Sequence, residues 1–287
     1  IEPASARIKD SAIKKPKKCP MCKQEVQRKE IVDKKQEHSA AIFCLNNNCY
    51  AKQLKNIIHF VSKKAFDIDG LGKKIVEQLL NKGLIKNPAD IFTLTVGDLE
   101  PLERFASKSA DNLVKAVQNA KNISLDRFIY ALGINHVGEE TAIALAKEFG
   151  SLDNIMTANL ERLENINDVG PQVAKSIVEY LTTKESQELI KDLLVNGIRI
   201  MNHELKIMGR KFDGKTFVLT GTLQTLTRDE IKNKIRELGG SVSGSISKKT
   251  DFVVVGDNPG SKYTKAKSLG VKILGEEEVV AMLINVN

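Results

Sequence analysis

Four cysteines are the residues of this sequence with the clearest chemistry. They form two close pairs, Cys19 with Cys22 and Cys44 with Cys49, and 21 residues separate the pairs. Two such pairs bring four thiolates into one tetrahedron, which suits Zn²⁺ and leaves no position for water, so the spacing predicts one structural zinc and not a catalytic one. Two disulfides in a small secreted cap are the alternative. The N-terminus lacks the layout of a signal peptide, which favours the metal.

Lysines flank the cysteines on both sides. On a metal-pinned surface they could contact phosphate, or they could form an ordinary solvated face, and the sequence leaves both interpretations open. His38 lies between the pairs and could replace a cysteine ligand, although four cysteines favour a surface role for it. The flanking lysines are Lys14, Lys15, Lys17, Lys18, Lys52 and Lys55.

A second pattern repeats through the middle of the chain. Four related pentapeptides occupy residues 68–72, 102–106, 134–138 and 166–170, at a period of about 33 residues. Small or apolar residues follow each pentapeptide at spacings of four and seven, which marks one helical face against a core. The pattern therefore predicts four units of helix, tight hairpin and helix. The spaced residues are Val76 and Leu79, Ala110 and Leu113, Ala142 and Leu145, and Ala174 and Ile177.

The pentapeptide, hydrophobic-x-Gly-hydrophobic-Gly, resembles the helix-hairpin-helix family of DNA-binding motifs. Glycines let the backbone turn and approach a partner closely. The next helix then begins with unpaired N–H donors and a positive dipole end, which together hold a phosphate. Pro171 fits the first turn of such a helix. Contacts of this kind read no bases, so we expect DNA binding without sequence preference. A helical array with merely structural turns is the alternative.

The four hairpins are not equivalent. In the second, Arg104 and Ala106 replace the glycines, so we expect a structural role or weak phosphate binding there. The third and fourth keep only their last glycine. Lysines in the first turns of the downstream helices could add charge contacts. The predicted DNA-binding residues are Gly70, Leu71, Gly72, Lys73, Lys74, Lys108, His136, Val137, Gly138, Asp168, Val169, Gly170 and Lys175.

The charge of the chain is unevenly distributed. The net charge of +8 favours a polyanionic partner. Residues 1–66 carry 15 basic and 6 acidic side chains, residues 67–209 carry 16 and 21, and residues 210–287 carry 13 and 9. Bulk attraction therefore cannot explain DNA binding by the acidic middle, and local backbone donors must do so.

The C-terminal region has a different pattern, of continuous apolar strands and short helices. The order βαββαβα predicts a small α/β domain around a parallel four-stranded sheet. The predicted strands are 216–219, 242–246, 252–255 and 271–274, and the predicted helices are 227–239, 261–269 and 276–284.

This region resembles a BRCT domain, through residues 214–221, the Gly239-Gly240 turn and residues 247–255. The aromatic residue that many such domains carry in the last helix is absent. The resemblance implies a docking surface for protein or DNA. It also implies a candidate phosphate site at Thr220, Gly221 and Lys265.

The tetrapeptide Lys211-Phe-Asp-Gly214 matches the signature whose lysine takes AMP in ligases. Only 73 residues follow Gly214, and the BRCT pattern accounts for them. We therefore predict that Lys211 is not catalytic.

The whole order, a four-cysteine module followed by four hairpins and a BRCT domain, is similar to the C-terminal part of bacterial NAD-dependent DNA ligases. Residues 59–62, 67–72, 131–134 and 217–222 carry the resemblance most closely. Tyr50-Ala-Lys52 and the weak second hairpin depart from the family pattern.

The resemblance implies a complete enzyme that seals nicks in duplex DNA with NAD and Mg²⁺. The adenylation domain is not in this sequence, so we expect this segment alone to be inactive. Its expected partners are nicked double-stranded DNA, the N-terminal catalytic domains of the same enzyme, and a protein bound through the BRCT domain. The rival hypothesis is a stand-alone DNA-binding or scaffold protein of DNA repair. The start at Ile1, without Met, favours a fragment.

The predicted protein is multidomain, with a small four-cysteine zinc module, an all-α repeat domain and an α/β domain. No apolar run reaches the roughly 18–20 residues that span a bilayer, so we expect no membrane contact and a bacterial cytoplasmic location. The predicted boundaries are 1–15 for an N-terminal extension, 16–65 for the zinc finger and connecting helix, 66–199 for the hairpin repeats, 200–211 for a linker and 212–287 for the BRCT domain.

Overall fold

The computed structural model describes most of the chain. The described residues are 16–32, 38–46, 48–103, 105–166, 168–201 and 210–284. Among them, no helix is long and apolar enough to cross a membrane.

The cysteine-rich module is built on a two-stranded antiparallel sheet. Strand β1 (Val26–Val32) pairs with β2 (His38–Cys44), and Val26 lies opposite Cys44. The sequence analysis did not predict this hairpin. Helix α1 (Tyr50–Phe60) follows, and Cys49 is its N-cap residue.

The central region is helical and surrounds a single hydrophobic core that extends from Ile57 to Ile198. All eight residues at the predicted spacings of four and seven are buried, which confirms the helical periodicity of the repeats. Its elements are α2 (Lys73–Asn81), a 3-10 helix (Pro88–Thr93), α3 (Val96–Leu99), α4 (Ser107–Asn119), β3 (Asn122–Ser124), α5 (Leu125–Ala131), α6 (Glu139–Phe149), α7 (Leu152–Met156), α8 (Leu160–Glu164), α9 (Pro171–Thr182), α10 (Lys184–Val195) and β4 (Arg199–Met201).

A short parallel pair of strands closes this region. Ile123 of β3 lies opposite Ile200 of β4. The predicted linker, which began at residue 200, is therefore wrong at its first two positions, Ile200 and Met201. A three-residue strand is too short to show a period, and its partner is distant in sequence. Residues 202–209 of that predicted linker lie outside the described residues.

The C-terminal domain has the predicted order βαββαβα. Its four strands form one parallel sheet in the order β6-β5-β7-β8. Side chains of α11 and α13 fill the core on one face, and α12 contributes to the core on the other. The elements are β5 (Thr216–Thr220), α11 (Arg228–Glu237), β6 (Ser241–Val242), β7 (Phe252–Val255), α12 (Ser261–Ser268), β8 (Lys272–Gly275) and α13 (Glu276–Ile284).

The second strand of this sheet is shorter than predicted. The sequence alternates to Ile246, but β6 ends at Val242. The hydroxyl of Ser243 accepts the amide N–H of Ser245, and this local turn competes with the strand ladder.

Candidate metal centre and nucleic-acid interface

The four cysteine sulfurs converge on one point. They all lie within 4.8 Å of one another. The Sγ atoms of Cys19 and Cys49 are 3.9 Å apart, and those of Cys22 and Cys44 are 3.4 Å apart. A tetrahedron with Zn–S bonds of about 2.3 Å has S···S edges of about 3.8 Å, so the cluster fits a four-cysteine zinc site.

Tight local turns position these sulfurs. The amide N–H of Lys23 donates to the carbonyl of Cys19, and that of Cys19 donates to the carbonyl of Gln24. Lys23 takes the left-handed conformation that this turn requires, with φ 59°. Cys44 ends β2, whereas His38 begins it. Six residues of extended chain, about 20 Å, separate the two, so the strand carries His38 away from the cluster.

The electrostatics of the cluster also favour a cation. A backbone hydrogen bond from Gln24 lowers the pKa of the Cys22 thiol to about 6. Burial and the neighbouring Cys22 raise the pKa of Cys44 to about 12. Four adjacent thiols cannot all ionise alone, and a central divalent cation would stabilise all four thiolates.

In the three hairpins whose tips are described, the chain turns at the third residue of the pentapeptide. Gly70, His136 and Asp168 have φ values of 80°, 67° and 65°. The last glycine of each hairpin is extended instead, with φ −76° at Gly72 and −93° at Gly138. The requirement for glycine at the last position is therefore not a left-handed backbone.

The fourth residue of each of these hairpins is an internal anchor. Leu71, Val137 and Val169 are buried. Their amide N–H groups donate to the carbonyls of the hairpins' first residues, at 3.3, 3.1 and 3.1 Å. The side chains and amides of these three residues are thus used inside the hairpin, and DNA binding by these residues stays a prediction.

The helices behind the hairpins begin without side-chain caps. The N-cap residues of α2, α6 and α9 are Gly72, Gly138 and Gly170, all exposed, and none provides a capping hydrogen bond. A Cβ atom added at any of these glycines would meet nothing within 4 Å. Open space therefore lies beside each of these N-cap residues, where a partner could approach the first-turn N–H donors.

The connecting helices provide a contrast. Asn87, Ser151 and Asn159 accept hydrogen bonds from the first turns of the 3-10 helix, α7 and α8. In this region, the helices between the hairpins thus have side-chain caps, whereas the helices that directly follow these hairpins have none.

The second hairpin is uncapped as well, with Ala106 at the N-cap of α4. Arg104 lies outside the described residues. All four predicted lysines are exposed, and two of them also form ion pairs within their own helices. Lys73 pairs with Glu77 at 3.7 Å and Lys175 with Glu179 at 3.8 Å. Pro171 occupies the first turn of α9 as predicted.

Comparisons with known proteins agree with this geometry. The model of the helix-hairpin-helix motif matches residues 127–190, and that of the SAM-like helix-hairpin-helix tandem matches residues 63–119. The model of the BRCA1 C Terminus (BRCT) domain matches residues 209–283.

Similar proteins include the DNA ligases of Desulforamulus reducens, Geotalea uraniireducens and Geobacter sulfurreducens, at 45%, 46% and 45% identity. Each match covers 93% of this chain and 39% of the relative. This chain matches the C-terminal part of bacterial DNA ligases. It spans about two fifths of the length of these relatives, and the stand-alone alternative is not favoured.

The third and fourth hairpins contact the BRCT domain. Glu140 in the first turn of α6 lies 2.7 Å from the ammonium of Lys232 and 2.5 Å from the guanidinium of Arg236. The hydroxyl of Ser243 donates to the carboxylate of Asp168, at the tip of the fourth hairpin, at 2.8 Å. Sequence analysis missed this contact. The sequence shows the two glutamates after Gly138, but it does not show which residues pair with them.

The predicted phosphate residues of the BRCT domain are only partly brought together. A shallow cavity of about 360 Å³ is lined by Thr220 and Gly221, together with Arg228 and Lys262. Lys265 does not line this cavity, and its ammonium donates to the carbonyl of Ile246. Lys262 lies in the first turn of α12, beside the cavity, and burial lowers its pKa.

Lys211 belongs to the entry of the BRCT domain. Its ammonium donates to the carbonyl of Met282 in α13, at 2.9 Å. The adjacent Phe212 is buried against Phe217, with ring centroids 4.9 Å apart. These contacts tie Lys211 to the BRCT domain, and its lack of a catalytic role stays a prediction.

Proposed function

We propose that this chain is the DNA-holding part of an NAD-dependent DNA ligase, and that it grips duplex backbone without reading sequence. The observation that carries the proposal is the set of three exposed N-cap glycines, each before a helix whose first-turn donors have no side-chain cap. The relatives named DNA ligase support the same function.

The grip would work through backbone amides. Each uncapped helix start combines several N–H donors with the positive end of the helix dipole, which suits a phosphate. The missing Cβ lets the sugar-phosphate chain approach closely. Exposed Lys74 and Lys108 would add screened charge contacts. A set of such sites on one rigid core would hold both sides of a nick and lower the entropy cost of aligning its ends.

The zinc module would stabilise the approach to the first hairpin. One Zn²⁺ bound by the four cysteines would tie the β1–β2 sheet to the start of α1. The other end of α1 is fixed, because Ile57 and Phe60 lie in the helical core. The role of the metal in this proposal is structural.

The chemistry of ligation would reside in the rest of the enzyme. We propose that N-terminal catalytic domains transfer AMP from NAD to their own lysine and then to the 5′-phosphate, with Mg²⁺. This segment alone would form no adenylate and seal no nicks. Joining nicks in a bacterial chromosome would place the enzyme in the cytoplasm.

A binding assay on the folded chain tests the DNA grip. Nicked and intact random duplexes are titrated at several salt concentrations against wild type and Gly72→Val. Losing one charge-assisted hydrogen bond, worth about 1.5–3 kcal/mol, weakens binding about ten- to hundredfold. Gly97→Val is the matched control, because Gly97 is exposed and lies within α3 rather than before a hairpin helix. Equal binding by all three proteins would leave the hairpins as structural turns.

A second candidate function is recognition of a phosphorylated protein partner by the BRCT domain. The cavity beside Thr220 and Gly221 is supplied with cations by Arg228 and Lys262. Titration with phosphoserine tests it. We expect Lys262→Ala to abolish binding and Lys265→Ala to retain it. Equal phosphoserine binding by the two variants would remove this candidate.

A further inference from the structure

The BRCT domain contacts the helical domain at the two hairpins that carry acidic residues. Glu139 and Glu140 occupy the first turn of α6, and Asp168 is the tip of the fourth hairpin. On the BRCT side, Lys232 and Arg236 project from α11 to the glutamates. Lys64, before the first hairpin, joins the cluster 2.6 Å from Glu139.

We propose that this contact is a latch, in which the BRCT domain closes over the third and fourth hairpins and competes with duplex DNA for them. The latch consists of Glu139, Glu140 and Asp168 on the helical side and of Lys232, Arg236 and Ser243 on the BRCT side. The inference rests on the proposed function of the hairpins as DNA-binding elements.

For steric reasons, we expect that the BRCT domain and duplex DNA cannot bind these two hairpins at the same time. Glu139 directly follows the N-cap glycine Gly138, and Asp168 precedes the N-cap glycine Gly170 by two residues. Gly138 and Gly170 stay exposed, so the BRCT domain is bonded to the carboxylates beside the two helix starts and not to the starts themselves. A duplex backbone that approaches both helix starts would meet this bonded domain, so we expect the two partners to exclude each other. The first hairpin differs in the charge of its helix start, which carries the exposed Lys73 and Lys74 in place of the glutamates.

Electrostatics make the exchange reversible. The side chain of Arg236 is only 8% exposed and that of Glu140 only 13%, so this ion pair is well shielded from solvent. The balance of +4 in residues 210–287 faces a balance of −5 in residues 67–209, which favours closure. DNA phosphates offer the released Lys232 and Arg236 another anionic partner, and salt weakens the exposed phosphate contacts more than the shielded ion pair.

A charge reversal at Arg236 distinguishes the latch from simple electrostatic attraction of the BRCT domain to DNA. Arg236→Glu puts a negative charge on a basic domain, so simple attraction predicts weaker DNA binding. The latch predicts tighter binding, because the introduced carboxylate would repel Glu140 and free the hairpins. If the latch is open roughly a tenth of the time, its release lowers the apparent Kd about tenfold.

The experiment uses the full chain and two readouts. Small-angle scattering without DNA measures closure, and duplex titration at fixed salt measures affinity. We expect Arg236→Glu to have a larger radius of gyration and tighter binding. The charge swap Glu140→Arg with Arg236→Glu re-forms this ion pair and should move the radius of gyration back toward the wild-type value, although Lys232 still faces the introduced arginine. Lys234→Glu, on an exposed position of the same helix, should stay compact and bind DNA no better than wild type.

Ser243→Asp supplies a second opening variant in case Arg236→Glu does not fold, because it sets a carboxylate against Asp168. An unchanged radius of gyration in a folded opening variant overturns the latch. An increased radius with unchanged or weaker DNA binding also overturns it, while leaving the DNA grip of the wild type intact. Absence of DNA binding by every protein would instead refute the proposed function.

Discussion

The first and third hairpins have the same backbone plan and opposite charges. Each hairpin turns at its third residue, whose backbone is in the left-handed conformation. Each ends at an exposed N-cap glycine that has no side chain to accept a hydrogen bond from the helix. The helix behind the first then begins with Lys73 and Lys74, whereas the helix behind the third begins with Glu139 and Glu140.

The charges at these two helix starts have opposite effects on helix stability, and the lysines at the first hairpin are unfavourable for their helix. Acidic residues in a first turn stabilise the helix dipole by about 0.3–1 kcal/mol, and basic residues there oppose it. The glutamates of α6 therefore stabilise that helix without any ligand. The lysines of α2 oppose the dipole unless an anion covers the helix start, so we propose that the first hairpin is the stronger phosphate site.

The largest expected effect is unfolding of the cysteine module while the BRCT domain stays folded. If the four cysteines bind zinc as proposed, its chelation should unfold residues 16–50, because metal binding provides about 10–16 kcal/mol in small zinc domains. The first hairpin should lose order with it, because α1 packs against α2, while the BRCT domain keeps its own core. Hydrogen exchange with and without chelator measures this. Protein that contains no zinc by elemental analysis, with four freely titratable thiols, would contradict the prediction.

The next largest expected effect is the loss of duplex binding when the last glycine of a hairpin is replaced. Gly72→Val should weaken duplex binding about ten- to hundredfold, because it blocks a helix start that the lysines make attractive to phosphate. Gly138→Val should cost less, because the acidic start of α6 and the BRCT domain already oppose DNA there. Salt titrations of both folded variants decide. A greater loss from Gly138→Val would reverse our ranking of the two hairpins.

Local patterns in the sequence were sufficient to predict most of the fold. The spacing of small and apolar residues located the helices behind the hairpins, and the alternation of apolar runs located the parallel sheet. The β1–β2 sheet was missed because the segment between the cysteine pairs carries many charged residues and little hydrophobic alternation. Its two strands pair beside the four-cysteine cluster, and no periodicity in the sequence predicts that pairing.

The sites were less predictable than the fold. The four cysteines could be assigned from spacing alone, because a metal site needs only ligand types and reach. The choice between Lys262 and Lys265 depended on which side of α12 faces the cavity. The pairing of Glu140 with Arg236 joins two domains, and sequence without tertiary contacts cannot reveal it.

A smaller effect tests the lysines of the first hairpin. Lys74 is exposed, so its contact with a phosphate is screened by solvent. Lys74→Ala should reduce the slope of log K against log salt by about one unit and weaken binding uniformly across sequences. Lys184→Ala is the control, because Lys184 starts α10, which follows no hairpin. Equal slopes for Lys74→Ala and wild type would place Lys74 off the DNA.

The smallest effect tests why the hairpin helices lack caps. Gly72→Ser would introduce a capping hydroxyl, which stabilises a helix by a few tenths of a kcal/mol relative to glycine. The same hydroxyl would accept a first-turn N–H that we assign to phosphate, so DNA affinity should fall while thermal stability rises slightly. In contrast, Asn87→Ala removes an existing cap and should cost about 1 kcal/mol of stability with little effect on DNA binding. Thermal unfolding and duplex titration of both variants measure the two effects. If Gly72→Ser gains stability and keeps its full affinity, the open donors of α2 are not those that hold the DNA.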